Sequence, residues 1–365
     1  MKRCAVAGAA LCLLLAAGCA STSQVVGTPA DPAKLAAAVI VPPAMSRTIA
    51  GNKLDFAKVP AGSFQRDANR NNITVITRPY YMMITEVTQE LFQAVMGTNP
   101  SSPLSKREPD AAIRPVNNIT WYTAIAFCNK LSLLDGKKPV YTVQGVSDWA
   151  GLSYSRIPLY SNSAWDATKM DMDADGYRLP TEAEWYWAAM GADTTEQPNR
   201  TDYLKAYSGS TAGPLNIEGI TDYAWTNEGS GGPFPIATKI PNELGIYDMS
   251  GNAWEWCFDW SLGIGTGSQG EEETPGVSKV TNNKPGTNTD YSGPDYGVVR
   301  IALGGGWWGD WDFNRNDWRC QVSAREAFTP DYMNDQVGIR IVCNANDIVS
   351  DINSDNNDDN VNDNE

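Results

Sequence analysis

The sequence predicts an α+β fold in which a few helices lead into a loop-rich, antiparallel C-terminal half. Only three segments, near residues 88–97, 121–136 and 181–190, place apolar residues at helical spacing between capping residues. Beyond residue 190 the chain is Gly, Asn, Asp and aromatic punctuation around short apolar runs: GIYDM, WEWCFDW, VVRIALGGGWW and VGIRIVC. The composition, with 32 Gly, 22 Pro, 13 Trp and 15 Tyr in 365 residues, favours short strands, turns and bulky aromatic core pieces. This length suits two average domains or one large irregular domain, and no solenoid or propeller period is visible.

The elements follow in chain order. Residues 54–65 (LDFAKVPAGSFQ) alternate weakly and end in turn residues, which predicts a strand entering the domain. Tyr80 to Val87 is strand-like; Thr88 then caps a helix carrying Leu91, Phe92, Val95 and Met96, stopped by Gly97. A second such unit runs from PVNNITW (115–121) into a helix with Ala124, Ile125, Phe127, Cys128, Leu131 and Leu134, closed by Gly136. Residues 143–172 are irregular and read as an insertion. In the third helix Thr181 and Glu184 fit a capping box, and Glu182 lies favourably in the first turn.

Both ends lie outside this body. Lys2 and Arg3, the apolar stretch Ala5 to Ala17 and Gly18-Cys19 have signal-peptide flanks and are short for a bilayer span. The segment resembles a lipoprotein signal in which Cys19 is acylated after cleavage, although Ala16 stands where Leu is usual. Residues 1–18 are therefore read as a signal peptide and 19–50, rich in Ala, Ser, Thr and Pro, as a flexible tether. Residues 347–365 hold six Asp, one Glu and no Lys or Arg, so residues 346–365 are read as a disordered acidic tail. Without those seven charges the formal −15 falls to −8, still acidic, which argues against nucleic acid as a partner.

Absent chemistry narrows function. The chain contains no histidine, which excludes imidazole metal ligands, Ser-His and Cys-His pairs and histidine general bases. The body cysteines Cys128, Cys257, Cys320 and Cys343 form no C-x-x-C motif. In an oxidising compartment they permit two disulfides with three connectivities. DMDADGYRLPTE (171–182) matches the EF-hand loop pattern through Asp171, Asp173, Asp175, Gly176 and Glu182. No clear entering helix precedes it and Pro180 stiffens its end, so an acidic turn plus helix cap competes with a calcium loop.

The run Trp308, Asp310, Trp311, Asp312, Phe313, Asn314, Arg315, Asn316, Asp317, Trp318 is the most unusual composition in the chain. Rigid rings supply area, and Asn, Asp and Arg supply orientation, as recognition surfaces require. Trp307 and Trp308 suit the core as well as a surface.

Six segments in order resemble the formylglycine-generating-enzyme, or sulfatase-modifying-factor, domain family: VPAGSF (59–64), TEVTQELFQAVMG (85–97), YRLPTEAEW (177–185), GIYDMSGNAWEWCFDW (245–260), GGGWW (304–308) and VGIRIVC (337–343). The resemblance covers residues 54–345. It implies a C-type-lectin-like fold with two or three helices, short antiparallel strands and extensive irregular loops. The oxidases of this family use copper held by two cysteines, and other relatives hold iron through histidines. Here the interval 309–318, where the copper thiolates belong, has no Cys, and His is absent altogether, so neither copper nor iron is expected. Through the resemblance a calcium site maps onto the side chains of Asp248 and Glu255 and the carbonyls of Gly251 and Ala253. The competing reading makes Gly251 and Asn252 a tight turn and pairs Glu255 with an arginine. The resemblance also implies that Cys128 pairs with Cys320 or Cys343. It extends to retroelement-diversified variable proteins, whose C-terminal variable segment residues 309–318 resemble.

Three functions follow. The first is an exported bacterial lipoprotein, periplasmic or surface-exposed, presenting a calcium-stabilised lectin-like surface to a protein or glycan. The second is an enzyme using carboxylates such as Asp310, Asp312 and Asp317 with Arg315. The third is a structural envelope lipoprotein.

Overall fold

The computed structural model describes residues 30, 32–38, 40–211, 219–225, 232–262, 285–307 and 320–345. A short helix, α1 (Pro32–Ala37), precedes strands β1 (Met45–Ile49) and β2 (Asn52–Val59). Strand β1 pairs antiparallel with β2, from Met45 opposite Phe56 to Ile49 opposite Asn52. The last residues of the expected tether are therefore an edge strand of the domain, because Ile49 buries its side chain in the core.

The strand expected over 54–65 is two. It breaks at Pro60, which has no N–H to give a ladder, and resumes as β3 (Gly62–Gln65). Strand β3 pairs with β4 (Ile73–Ile76). Strand β5 (Tyr80–Met83) follows, ending sooner than the sequence pattern suggested. Helix α2 (Gln89–Met96) starts where Thr88 accepts a hydrogen bond from the Leu91 N–H and stops at Gly97, left-handed at φ 75°. A short α3 (Pro103–Arg107) leads to α4 (Trp121–Leu134), capped by Thr120 and buried on nearly every side.

The 143–172 stretch is largely irregular, holding a 3-10 turn (Tyr154–Arg156), α5 (Ser163–Asp166) and β7 (Lys169–Met170), the latter paired with β6 (Tyr141–Thr142). In α6 (Glu182–Ala189) both hydrogen bonds of the capping box are made. A single turn, α7 (Ile220–Tyr223), precedes the C-terminal strands β8 (Trp254–Ser261), β9 (Thr287–Thr289), β10 (Val299–Leu303), β11 (Arg325–Phe328), β12 (Val337–Gly338) and β13 (Val342–Asn344). Of the helices among the described residues only α2, α4 and α6 reach eight residues, and these are the three that the periodicity marks.

Two four-stranded sheets, ordered β1-β2-β5-β13 and β11-β10-β8-β12, carry the fold, with β3-β4-β9 and β6-β7 as smaller sheets. Pairing is antiparallel except for β8 with β12 and β4 with β9. One core cluster joins α2 and α4 to Trp254, Trp256 and Ile339; a second packs α6 against Ile301, Leu303 and Val342. The two ends of the body meet where β5 pairs with β13.

Three arginines inside apolar runs cross-link these layers. Arg178 forms two 2.7 Å hydrogen bonds to Glu184, and Arg340 holds Glu255 at 2.7–3.0 Å. The Arg300 guanidinium lies between two indoles, its carbon 3.7 Å from the Trp121 centroid and 3.4 Å from that of Trp260. Its Nη1 and Nη2 donate to the carbonyls of Phe258 and Asp166.

Candidate functional site

The DMSGN turn before β8 is a hub for three chain segments. Gly251 adopts φ 80°, and a Cβ there would lie 2.2 Å from the Trp225 carbonyl oxygen, so only glycine fits. Its N–H donates to Gly304 O at 2.7 Å, the Asn252 N–H donates to Trp225 O, and Asn252 O accepts from the Trp307 N–H at 2.8 Å. Asn252 Oδ1 also takes the Phe234 N–H, and the Phe234 ring stacks on Trp225 with centroids 3.9 Å apart. Trp307 is buried, its indole N–H donating to Asp335 O. The segment between Trp307 and Cys320 is thus entered from a backbone position fixed by the hub. It is left near Val322, whose N–H donates to Ala206 O.

Of the expected recognition residues, Trp308, Asp310, Trp311, Asp312, Phe313, Asn314, Arg315, Asn316, Asp317 and Trp318 lie outside the described residues. Cys19 does too. What the structure shows is the frame on either side of residues 308–319.

Beneath the hub sits a cluster of buried acids that sequence reasoning found only in part. Glu255 and Arg340 are 1% and 0% exposed by side chain, and Glu255 Oε2 also accepts from the Trp185 indole N–H at 2.6 Å. Arg340 donates further to the carbonyls of Met83 and Tyr247. Those carbonyls lie in the segments that carry Glu86 and Asp248. Glu86 is fully buried and neither of its carboxyl oxygens has a partner. Asp248 accepts from the Ala237 N–H through Oδ2, while Oδ1 has no partner. Burial, and then the neighbouring Asp248, hold the Glu86 carboxyl well above the usual range. Burial pushes Asp248 up to about 6 against the pull of the Ala237 N–H and Arg340.

The implied calcium ligands therefore separate. Both Glu255 oxygens are held by Arg340, so Glu255 does not fit as a ligand. Asp248 keeps Oδ1 without a partner, and Glu86 is a second unpartnered carboxyl near enough to raise its pKa that the resemblance did not suggest. The signal was legible in principle, since a Glu inside the strand-like run MITEVT has to be buried with something. Among the described residues no group of three or more His, Cys, Asp or Glu is placed to hold a metal, so an ion here would lean on backbone carbonyls.

The EF-hand-like loop is differently arranged. Asp171 pairs with Lys138 at 2.6 Å, Asp173 with Arg78 at 2.8 Å, and Asp175 lies 3.8 Å from Lys137 while accepting the Lys138 N–H. Glu182 faces away, 2.6 Å from Arg325 at the buried end of α6. These carboxylates spread outward to separate cations and do not converge. A Cβ on Gly176 would strike the Lys138 carbonyl at 2.3 Å, which accounts for that glycine by close packing.

No disulfide joins Cys128, Cys257, Cys320 and Cys343 in the structure, which corrects the expected bridges. The four are all buried, in three different core clusters, with only Cys128 and Cys343 sharing one. Burial pushes the Cys343 thiol up to about 11 and raises Cys128 and Cys257, so these three act as small apolar side chains.

A family model described as a sulfatase-modifying factor enzyme 1-like domain matches residues 44–345. The chain belongs to this family. Within it, a chaperone protein LppX of Paenibacillus barcinonensis is 33% identical over 212 residues, covering 56% of this chain and 71% of that protein. The formylglycine-generating enzyme of Thermomonospora curvata is 29% identical over 169 residues, covering 45% of this chain and 48% of the enzyme. This sulfatase-modifying-factor-like chain thus spans about half the length of that enzyme. Among solved structures, Treponema denticola variable protein 1 superposes with TM-score 0.66 at 34% identity, covering 82% of this chain and 98% of that one. CarF shares the fold at TM-score 0.51 and 23% identity, covering 80% and 98%. The match begins at residue 44, in agreement with β1 as the first strand of the domain.

Proposed function

We propose that this family member is a binding protein that presents residues 308–318 as a recognition surface on a rigid frame. The observation that carries the reading is the hub, in which Gly251, Asn252 and Trp307 fix one end of that segment by backbone hydrogen bonds independent of its own side chains. Rigid presentation lowers the ordering cost of binding, and Trp311, Phe313 and Trp318 supply the ring area that interface anchors use. The interval has no thiol pair and the chain no histidine, which leaves the metal-bound oxidase chemistry of the family without its ligands. Similarity to a protein named for its variability supports a surface whose sequence is free to change. Similarity to a protein named a chaperone favours a protein as the ligand over a glycan.

The same reading places the chain outside the cytoplasm on a lipid attached to Cys19. Among the described residues no helix is long and apolar enough to cross a membrane; the attachment in this reading is the lipid on Cys19. A calcium ion between Asp248 and Glu86 would stiffen the hub from below by neutralising two crowded carboxylates.

The test is capture of envelope-protein partners by the purified chain, followed by affinity measurement with the triple variant Trp311→Ala, Phe313→Ala, Trp318→Ala. Loss of roughly 100-fold or more in affinity at unchanged Tm is expected for three anchor residues. Unchanged affinity in the triple variant would remove the site from this function.

A further inference from the structure

The N-terminal segment that the sequence marks as tether touches the body well before β1. Ala30 is 2% exposed, and its N–H donates to Thr238 O at 3.3 Å. From α1, Lys34 places Nζ 2.7 Å from the Asp222 carboxylate on α7, and a Cβ on Gly245 would lie 3.0 Å from Val41. Contacts at residues 30, 34 and 41 thus lay a strap over α7 and the chain that follows it. The half-exposed ion pair alone would hold little; the buried Ala30 and its main-chain bond fix the start of the strap.

Thr238 also connects the strap to the hub. Its hydroxyl accepts the Trp225 indole N–H at 2.9 Å, the Trp225 carbonyl accepts the Asn252 N–H, and the Asn252 carbonyl accepts the Trp307 N–H. Three residues in series therefore join Ala30 to the residue after which the recognition segment begins. The far end of β5 lies away from this corner. Just past β5, Ile84 O takes the Tyr247 N–H, two residues from the glycine that Val41 touches, whereas ahead of β5 Arg78 pairs with Asp173.

Docking of the strap shortens the reach from Cys19. The residues from 19 to 29 span about 38 Å at full extension, against about 90 Å for a chain free up to β1. A body of this length is about 50 Å across, so an attachment shorter than the body keeps one side of it nearest the membrane. On the reading that Cys19 carries a lipid, we propose that the strap turns the hub corner toward the bilayer, and that the ligand of the segment after Trp307 is a protein seated at that same membrane.

The chain from Cys19 onward is coupled through that thiol to a maleimide phospholipid in phosphatidylethanolamine and phosphatidylglycerol vesicles, which tests the geometry whether or not cells acylate Cys19. Glu243 beside the strap, or exposed Asp173 beyond the far end of β5, is replaced by an azide-bearing residue that carries a donor dye. Energy transfer to a headgroup acceptor is expected to be roughly twofold or more stronger from position 243 than from 173, given a body about 50 Å across. Inserting about 20 Gly and Ser residues after Ser21 extends the reach to about 110 Å and brings the two values together. Ala30→Glu with Lys34→Glu, which puts charge in a buried place and opposite Asp222, does the same while Tm shows the body still folded. Equal transfer from both positions in the unmodified chain overturns the proposal, and so does a difference that survives both changes. In cells, a photo-crosslinking residue in place of Trp311 is expected to trap a protein with a lipid anchor or a membrane span; a water-soluble product overturns the ligand half. No product, with the transfer difference intact, removes the recognition role of 308–318 and the ligand half with it. Cys19 found unacylated in cells sinks the lipid reading and the inference that rests on it.

Discussion

Two acidic regions of this molecule both suggest calcium from the sequence and are opposites in structure. Around residues 171–175 three aspartates lie near solvent, each beside its own lysine or arginine. Under the DMSGN turn, Glu86, Asp248 and Glu255 are buried around a single arginine that is already committed to Glu255. Solvent and mobile cations settle the first arrangement at small energies. The second has no solvent to share its charge, so each carboxyl must find a guanidinium, a proton or a metal ion.

The strongest way to break this contrast is Arg340→Met, which strands the Glu255 carboxylate in the core. Removing one partner of a buried pair costs about 3–5 kcal/mol, enough to unfold much of a typical domain. Chemical denaturation is the measurement, and adding Glu255→Gln, which keeps an acceptor for the Trp185 indole, should recover more than half of the loss. The next effect concerns calcium. At about 100 times its Kd a bound ion stabilises by about 2.7 kcal/mol, and Asp248→Ala abolishes the difference between calcium and chelator. If chelation leaves the Tm of the wild-type chain unchanged, Glu86 and Asp248 are neutralised by protons and the calcium reading fails.

A smaller, pH-dependent effect belongs to Asp259 on β8. Burial, and then the adjacent Glu182, hold its carboxyl well above the usual range, against the pull of the Glu182 N–H and Arg325; Glu184 adds to the rise. Between the ordinary carboxylate pKa and this raised value the folded chain holds a proton that the unfolded chain releases. Its contribution is fully present below the ordinary pKa and is lost as pH rises through the raised one. Asp259→Asn should flatten that decline in a series of Tm measurements from pH 4 upward, and an unchanged slope would assign it to another group. At the smallest end, Asp173→Ala, which removes an exposed pair with Arg78, should leave Tm within experimental scatter; a clear drop would mean that the acidic loop is more than a solvated turn.

The contrast also shows what a sequence yields and what it withholds. Helices α2, α4 and α6 are legible because their signals are local: Thr88, Thr120 and Thr181 reach only three residues ahead, and Gly97 closes its own turn. The break at Pro60 is legible in hindsight, since proline cannot complete a ladder. Strand β1 is not, because Met45–Ile49 alternates too weakly to stand out until β2 is beside it. The candidate site depends on pairing at long range: Glu255 and Arg340 are 85 residues apart, and no spacing rule joins them. Even so, Arg178, Arg300 and Arg340 each interrupt an apolar run, and a guanidinium in such a place announces a buried partner before that partner is known. The free thiols illustrate the reverse: four cysteines suggested bridges, yet Cys257 and Cys320 lie in clusters of their own, and Cys128 and Cys343, which share one, are unbridged.

The hydrogen bonds that Gly251 and Asn252 make to Gly304 and Trp307 involve main-chain atoms on both sides. A joint of that kind is indifferent to which residues follow it. Substitutions beyond Trp307 leave those main-chain hydrogen bonds in place, whereas a side chain at position 251 would strike the Trp225 carbonyl, so the glycine there is a position where a single change is hardly forgivable.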